Sequence, residues 1–240
     1  MDFPTRLAAV KASLLDRLVS LVVPPLCLGC REPELSGAVL CSGCRANLIR
    51  LPDPRCERCG APVASASPRC PECRGRSLVF ASAWAPFGYE GTGRRLVAAL
   101  KSRGAAPAAS FMGAEIASRA PPGLVAGTLV PVPAHPARRR REGLNQAAWI
   151  AAAAGGVADL PVRDVLVRER GSTAQVGLAR RERLVNARGS IAARRPSPPG
   201  RVVLVDDVYT TGATLDACAR ALRSAGAGEI VAVTFARATR

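Results

Sequence analysis

Apolar residues recur at helical spacing over 3–21 (Leu7, Val10, Leu14, Leu18, Leu21), and Pro24-Pro25 end the pattern. The spacing predicts an amphipathic helix that packs against the rest of the chain. Beyond residue 79 the period changes repeatedly. Residues 79–89, rich in aromatic and small apolar side chains, read as a strand or hairpin. Helices are predicted over Gly91–Arg103, with Leu96, Val97 and Leu100 on one side, and from near Pro107 to Ser118. Thr128–Pro133 is an apolar strand; the basic loop Arg138–Arg141 leads to a helix over about Leu144–Ala154. Strand Val162–Val167, a polar loop and helix Leu178–Ala187 follow, then strand Arg201–Asp206. Leu215, Cys218, Ala219 and Leu222 fall at i, i+3, i+4, i+7, and Ile230–Phe235 closes as a strand. Such alternation predicts an α/β fold, a mostly parallel sheet with helices on both faces. Ligands in such sheets bind at the carboxyl ends of the strands. The expected organisation is a helix over 1–26, a cysteine-rich unit over 27–76 and the sheet domain over 79–240.

Composition narrows the possibilities. The 240 residues suffice for one ordinary domain and a small satellite, and 48% apolar content excludes a disordered chain. Aromatics at 4% argue against a nucleic-acid surface built mainly from stacked rings. No uncharged apolar run approaches the roughly eighteen residues of a membrane span; Leu14–Leu26 is broken by Asp16, Arg17 and two prolines. With no export signal in view, a cytoplasmic location is expected. The formal net charge is +16. Lys11 and Lys101 are the only lysines beside the many arginines, a skew that a biased genome explains as well as selection does. A solvated basic surface and a polyanionic partner, a phosphorylated metabolite or nucleic acid, both remain open.

Eight of nine cysteines form four Cys-x-x-Cys pairs: Cys27/Cys30, Cys41/Cys44, Cys56/Cys59 and Cys70/Cys73. The last two pairs repeat the first two at a constant offset of 29, a tandem duplication. Two thiolates in one tight knuckle can face one cation, and two knuckles supply the four soft ligands of tetrahedral zinc. Gly29, Gly43 and Gly60 suit the tight backbone. A disulfide framework needs an oxidising compartment; an iron–sulfur cluster is the other rival. Pairing in sequence order needs only short loops and is favoured. Two structural zinc ions are expected, with no open position for catalysis.

The segment Arg201-Val-Val-Leu-Val-Asp-Asp-Val-Tyr-Thr-Thr-Gly-Ala-Thr-Leu215 carries the chemistry. Asp206 and Asp207 end a buried strand, and Thr210, Thr211, Gly212, Ala213 and Thr214 make a hydroxyl-rich turn at a helix start. Free N–H groups, helix dipole and hydroxyls there suit a phosphate monoester. The carboxylates can accept hydrogen bonds from two ribose hydroxyls and favour positive charge developing at a sugar carbon. Mere helix capping would need one aspartate, not two. Neither G-x-x-x-x-G-K-[ST] nor G-x-G-x-x-G occurs.

This segment resembles the phosphoribosyl-pyrophosphate (PRPP) signature of type I phosphoribosyltransferases. Four further features are similar to the ComF family of competence-associated, amidophosphoribosyltransferase-like proteins: Tyr89-Glu-Gly-Thr-Gly-Arg-Arg-Leu96 with Lys101 downstream, the stretch Val130–Ala147, the polar set Thr173, Gln175, Leu178, Arg181, Arg183, Asn186, and the knuckles. The resemblance covers almost the whole chain. It implies that Asp206 and Asp207 bind ribose hydroxyls, that Thr210–Thr214 hold the 5-phosphate, and that Val132, Pro133, Ala134 and His135 lie beside pyrophosphate. Lys101 joins the PRPP-binding set, and Arg138–Asn145, with Arg140, looks like a closing loop whose guanidiniums neutralise the leaving anion. Mg²⁺ would accompany PRPP, bridging its oxygens. His135, the only histidine, either donates a hydrogen bond or shuttles a proton, or simply orients its loop. Cys218, on the apolar side of its helix, is expected to fill core.

Two functions are compatible with these residues. One is Mg²⁺-dependent phosphoribosyl transfer with pyrophosphate release. The other is a non-catalytic competence accessory that binds single-stranded DNA or a DNA-uptake partner and senses PRPP or nucleotide. Glutamine-fed amidation by this polypeptide is not expected, since position 2 is Asp and not the cysteine of a glutamine-hydrolysing domain.

Overall fold

The computed structural model describes residues 25–65, 69–103, 105–134, 145–168, 191–194 and 200–239. The helices expected over 3–21 and 178–187, the polar set Thr173–Asn186, His135 and the arginine run with Arg140 lie outside the described residues.

Strands β6 (Val202–Tyr209) and β7 (Ile230–Arg237) form the centre of the sheet. Their near-continuous apolar runs are what a strand buried on both faces requires. Strand β3 (Thr128–Pro131) lies beside β6, and the short strands β1 (Ala83–Trp84) and β2 (Phe87–Gly88) both lie on β7, giving a five-stranded sheet of order β1-β7-β6-β3 with β2 off that path. Every pairing in this sheet is parallel. Helices α2 (Gly91–Arg103), α3 (Ala106–Arg119) and α4 (Gln146–Ala158) line one face. Helix α5 (Ala213–Ser224) covers the other, together with an antiparallel pair, β4 (Leu166–Arg168) and β5 (Ile191–Ala193). A one-turn helix, α1 (Ser42–Ala46), sits in the cysteine-rich segment. No described helix is long and apolar enough to cross a membrane.

Because successive side chains on a strand point to opposite faces, the sheet divides the molecule into two cores. Val203, Val205, Val231, Val233 and Phe235 face Leu96, Leu100, Met112, Ile116 and Ile150. Val202, Leu204, Ile230 and Ala232 face Leu215, Ala219 and Leu222, with Cys218 as expected among them. The cysteine-rich repeats do not form a detached satellite. Cys27 and Cys44 belong to the first core, while Cys56, Cys59, Cys70 and Cys73 belong to the second.

Four elements differ from their sequence patterns. Residues 79–89 are not a hairpin: β1 and β2 each run parallel to β7, with Ala85-Pro86 between them. The expected strand Val162–Val167 is split. Val162 makes only an isolated parallel bridge to Leu129, and the chain pairs again at Leu166–Arg168 in the second sheet. Strand β6 outruns Asp206 by three residues because β7 continues alongside it as far as Arg237. Helix α4 likewise passes through Gly155-Gly156, where apolar periodicity stops, and ends at Asp159 in left-handed conformation. A Cβ on Gly155 would lie 2.8 Å from Leu160 O, so close packing explains that glycine.

Candidate functional site

The cysteines gather in sequence order, Cys27/Cys30/Cys41/Cys44 and Cys56/Cys59/Cys70/Cys73, and within each set the sulfurs lie within 4.8 Å of one another. All are free thiols. A zinc–sulfur distance of about 2.3 Å implies sulfurs roughly 3.8 Å apart at a tetrahedron's corners; Cys30–Cys41 at 3.9 Å and Cys59–Cys70 at 3.5 Å fit that spacing.

The duplication is visible bond by bond. Cys27 N–H donates to Glu32 O and Cys56 N–H to Ala61 O; Cys41 and Cys70 N–H donate to Cys27 and Cys56 Sγ, each at 3.3 Å. At Cys27 burial raises the thiol, but backbone donors at Cys30, Cys41 and Gly29 outweigh it and hold it down at about 6. At Cys56 burial likewise raises the thiol, and donors at Cys59, Cys70 and Arg58 bring it to about 7. Each cluster therefore contains one sulfur prepared as thiolate, the form that binds metal. Burial pushes Cys44 up to about 12 and Cys73 to about 11. A divalent cation provides the charge that such sulfurs need to ionise.

The three candidate glycines have different roles. Gly60 occupies the left-handed region at φ 69°. A Cβ on Gly29 would meet Cys44 Sγ at 2.6 Å, so space is the constraint there. Gly43 meets nothing and sits inside α1.

The acidic doublet lies at the carboxyl end of β6, beside the carboxyl ends of β3 and β7. Strand alternation sends the two carboxylates to different faces. Asp207 is buried and pairs with Lys101 Nζ at 2.8 Å, at the end of α2. Asp206 lies on the α5 side, where burial first, and then the charge of Asp207, raise its pKa to about 7. The Asp207 N–H, Lys101 and Arg168 pull the other way. Burial more than charge thus favours the neutral form of Asp206, and a bound cation or hydroxyl donors would favour its ionised form.

After Tyr209 the chain turns through Thr210 and Thr211 into Gly212, which caps α5 at φ 73° with no side-chain cap bond. A Cβ there would lie 2.5 Å from Tyr209 Oη, so both the left-handed backbone and the ring beneath require glycine. Thr211 Oγ1 accepts the Ala213 N–H at 3.3 Å, Thr210 is exposed, and Thr214 is half-buried in the first turn of α5. Asp216, the acidic residue of that turn, is occupied elsewhere: it accepts Val79 N–H and pairs with Arg220.

Val132, Pro133 and Ala134 leave the end of β3 next to β6, and the Val132 N–H donates to Val205 O at 2.9 Å. Asn145 Nδ2 donates to Val132 O at 3.1 Å, and Arg168 Nε to Pro133 O at 3.2 Å. The structure thus brings the doublet, the threonine turn, the 132–134 segment and Lys101 to one end of the sheet. Arg168 and Arg237 also lie there, outside every sequence motif, as does Tyr209, which the 201–215 segment contains without a role assigned to it. Tyr209 and Arg237 end the two long central strands as register partners, and Arg168 ends the short strand β4; only the fold reveals these pairings.

Residues 18–74 match the double zinc ribbon domain model, and residues 141–240 match the phosphoribosyl transferase domain model. The DNA utilization protein YhgH of Salmonella typhimurium is 30% identical over 225 residues, covering 88% of this chain and 96% of that protein. The chain belongs to the ComF/YhgH family. Competence protein F of Haemophilus influenzae is 36% identical over 114 residues, 46% of this chain; the match spans half of that relative's length. Among solved structures, a B. subtilis glutamine PRPP amidotransferase complexed with ADP and GMP is 23% identical with a TM-score of 0.37, covering 52% of this chain and 25% of that one. Orotate phosphoribosyltransferase from Aeropyrum pernix is 21% identical with a TM-score of 0.30, covering 58% and 62%. This ComF/YhgH family member thus carries a phosphoribosyltransferase domain and two zinc-binding sites of four cysteines each.

Proposed function

We propose that the chain binds PRPP with Mg²⁺ and transfers its phosphoribosyl group to an acceptor, releasing pyrophosphate. One observation carries the reading: Asp206 and Asp207 stand immediately before a Gly212-opened helix N-terminus at the carboxyl end of the central strand. In this reading the doublet accepts hydrogen bonds from the ribose hydroxyls, and residues 210–214 hold the 5-phosphate. Val132–Ala134 and His135 border the pyrophosphate, and Arg140 with its neighbours closes over it. Lys101, already paired with Asp207, holds that carboxylate in place until ligand arrives. Mg²⁺ would neutralise the phosphate oxygens, and the carboxylate oxygens of the doublet are the hard donors such an ion takes. In the transfer, the C1–O bond of PRPP breaks and pyrophosphate leaves with the electron pair. The acceptor forms the new bond to C1 and gives up its proton, while the carboxylates favour the positive charge at the sugar carbon.

The test is PRPP with Mg²⁺ in a thermal melt. At about 100 times Kd the ligand adds about 2.7 kcal/mol, or about 5–10 °C for a protein of this size. Asp206→Asn with Asp207→Asn abolishes the rise; no rise in the unaltered protein rejects the assignment. Pyrophosphate release with candidate acceptors then separates turnover from sensing. A role on single-stranded DNA is the second reading, favoured by the +16 charge and by the relative's name, DNA utilization protein. It requires binding that weakens steeply with salt, measured by titration at several ionic strengths.

A further inference from the structure

The strand that ends beside the phosphate turn ends on a buried arginine. Arg237, the last residue of β7, is 1% exposed, and a buried guanidinium is costly unless its donors are engaged. Nη1 donates to Cys59 O at 2.7 Å; Nη2 donates to Cys59 Sγ at 3.5 Å and pairs with Glu72 Oε2 at 3.0 Å. Both partners belong to the second ribbon: Cys59 is a zinc ligand, and Glu72 lies inside the Cys70/Cys73 knuckle. The other face of the guanidinium stacks over Tyr209, 4.3 Å from the ring centroid. Tyr209 is the register partner of Arg237 on β6, and its hydroxyl fills the space that a side chain at Gly212 would need. Arg237 therefore touches a metal ligand on one side and the floor of the phosphate turn on the other. A second strut runs in parallel. Arg76, whose N–H is held by Cys73 O, donates through Nη2 to Thr211 O at 2.6 Å, within the turn itself. In the first ribbon Arg45 leads elsewhere, pairing with Glu115 on α3.

From this geometry we propose that Arg237 and Arg76 are positioning residues that couple zinc in the second ribbon to ligand binding at the phosphate turn. The proposal rests on the reading of that turn as a phosphosugar site. A filled four-thiolate zinc centre carries a formal charge of −2, which holds Arg237 against Cys59 and Glu72 and so fixes Tyr209 beneath Gly212. Metal-site geometry is kept by such outer hydrogen bonds, and it is lost with the metal. Coupling of this kind is reciprocal: if zinc raises PRPP affinity, PRPP raises zinc affinity by the same factor.

The experiment uses the full-length two-zinc protein. A zinc-selective chelator is titrated with and without saturating PRPP and Mg²⁺, and each cysteine's alkylation is followed by peptide mass spectrometry. PRPP is expected to shift the chelator midpoint for Cys56, Cys59, Cys70 and Cys73 by about fivefold or more, leaving Cys27, Cys30, Cys41 and Cys44 unshifted. Arg237→Met, with zinc content and PRPP affinity measured alongside, is expected to weaken PRPP binding and, at saturating PRPP, to abolish the shift. If that variant does not fold, Arg76→Met, at a half-buried position, is expected to cut the shift at least by about half. PRPP that raises the melting temperature but protects neither ribbon, or both equally, overturns the coupling, as does an undiminished shift in both variants. Absence of any PRPP binding overturns the reading of the turn and the coupling with it.

Discussion

The two ribbons repeat one pattern at a spacing of 29 residues, and the fold gives the copies different surroundings. Both make the same knuckle bonds. Yet Cys30 is exposed and its counterpart Cys59 is buried against Arg237. Position 31 of the first copy is an arginine at φ 68°, whereas its counterpart is Gly60 at φ 69°. The backbone demand is identical; the space is not. Arg31 points into solvent, while a Cβ on Gly60 would meet Ala83 O at 2.6 Å. The reverse holds two residues earlier. Gly29 has no room beside Cys44, and Arg58 reaches out to the Leu78 and Ala81 carbonyls. The local fold of a metal knuckle is thus set by its ligands, and the residues between them answer to whichever core the copy enters.

Breaking equivalent thiols gives the largest contrast. Cys59→Ser is expected to lose one zinc and to lower the melting temperature by more than about 10 °C, because structural zinc sites contribute folding energy outright. Cys30→Ser is expected to lose one zinc at less than half that cost and to retain the PRPP-induced rise. Metal analysis beside calorimetry checks both, and equal losses would erase the distinction between the copies. Gly60→Ala forces a left-handed Cβ against a carbonyl and is expected to cost about 2–4 kcal/mol, read in urea unfolding.

The acidic doublet repeats the contrast across the sheet. The folded pKa of Asp206 is raised above its unfolded value, so its contribution to stability is greatest at low pH. That contribution is lost as pH rises from about 4 to about 7. Asp206→Asn is therefore expected to raise the melting temperature at pH 8, by roughly 2–4 °C per kcal/mol regained, while abolishing ligand response. Asp207→Asn strands Lys101 and lowers stability by about 1–2 kcal/mol instead. Melts of both variants at pH 5 and 8 test the opposite signs. The smallest effect lies at Arg31. Arg31→Gly relieves the left-handed backbone and is expected to stabilise by about 1 kcal/mol, measured by the same unfolding.

Much of this site was legible beforehand. Ligand spacing marked the eight cysteines, since tetrahedral geometry restricts the loop between two thiolates. The doublet and threonine turn were legible because strand end, carboxylates and glycine-opened helix follow one another along the chain. Arg237 was not legible: at the end of an apolar strand it reads as a polar terminus, and only pairing with Tyr209 and contact with Cys59 make it a buried cation. Of the strand or hairpin expected over 79–89, strand forms and the hairpin does not, for a related reason. Periodicity specifies a strand but not its partner, and the segment lies on β7, more than 140 residues away in sequence.

By itself the sequence determined what local spacing can encode: thiol pairs, a threonine-rich turn opened by glycine, two carboxylates and the alternation that makes a parallel sheet. Tertiary structure alone decided that the duplicated ribbons fall on opposite faces, that Asp206 and Asp207 divide between them, and that the second ribbon touches the turn through Arg76. Those relations join residues such as Cys59 and Arg237, 178 positions apart. Contacts of that span arise from burying two apolar faces at once, and no window along the chain contains both partners.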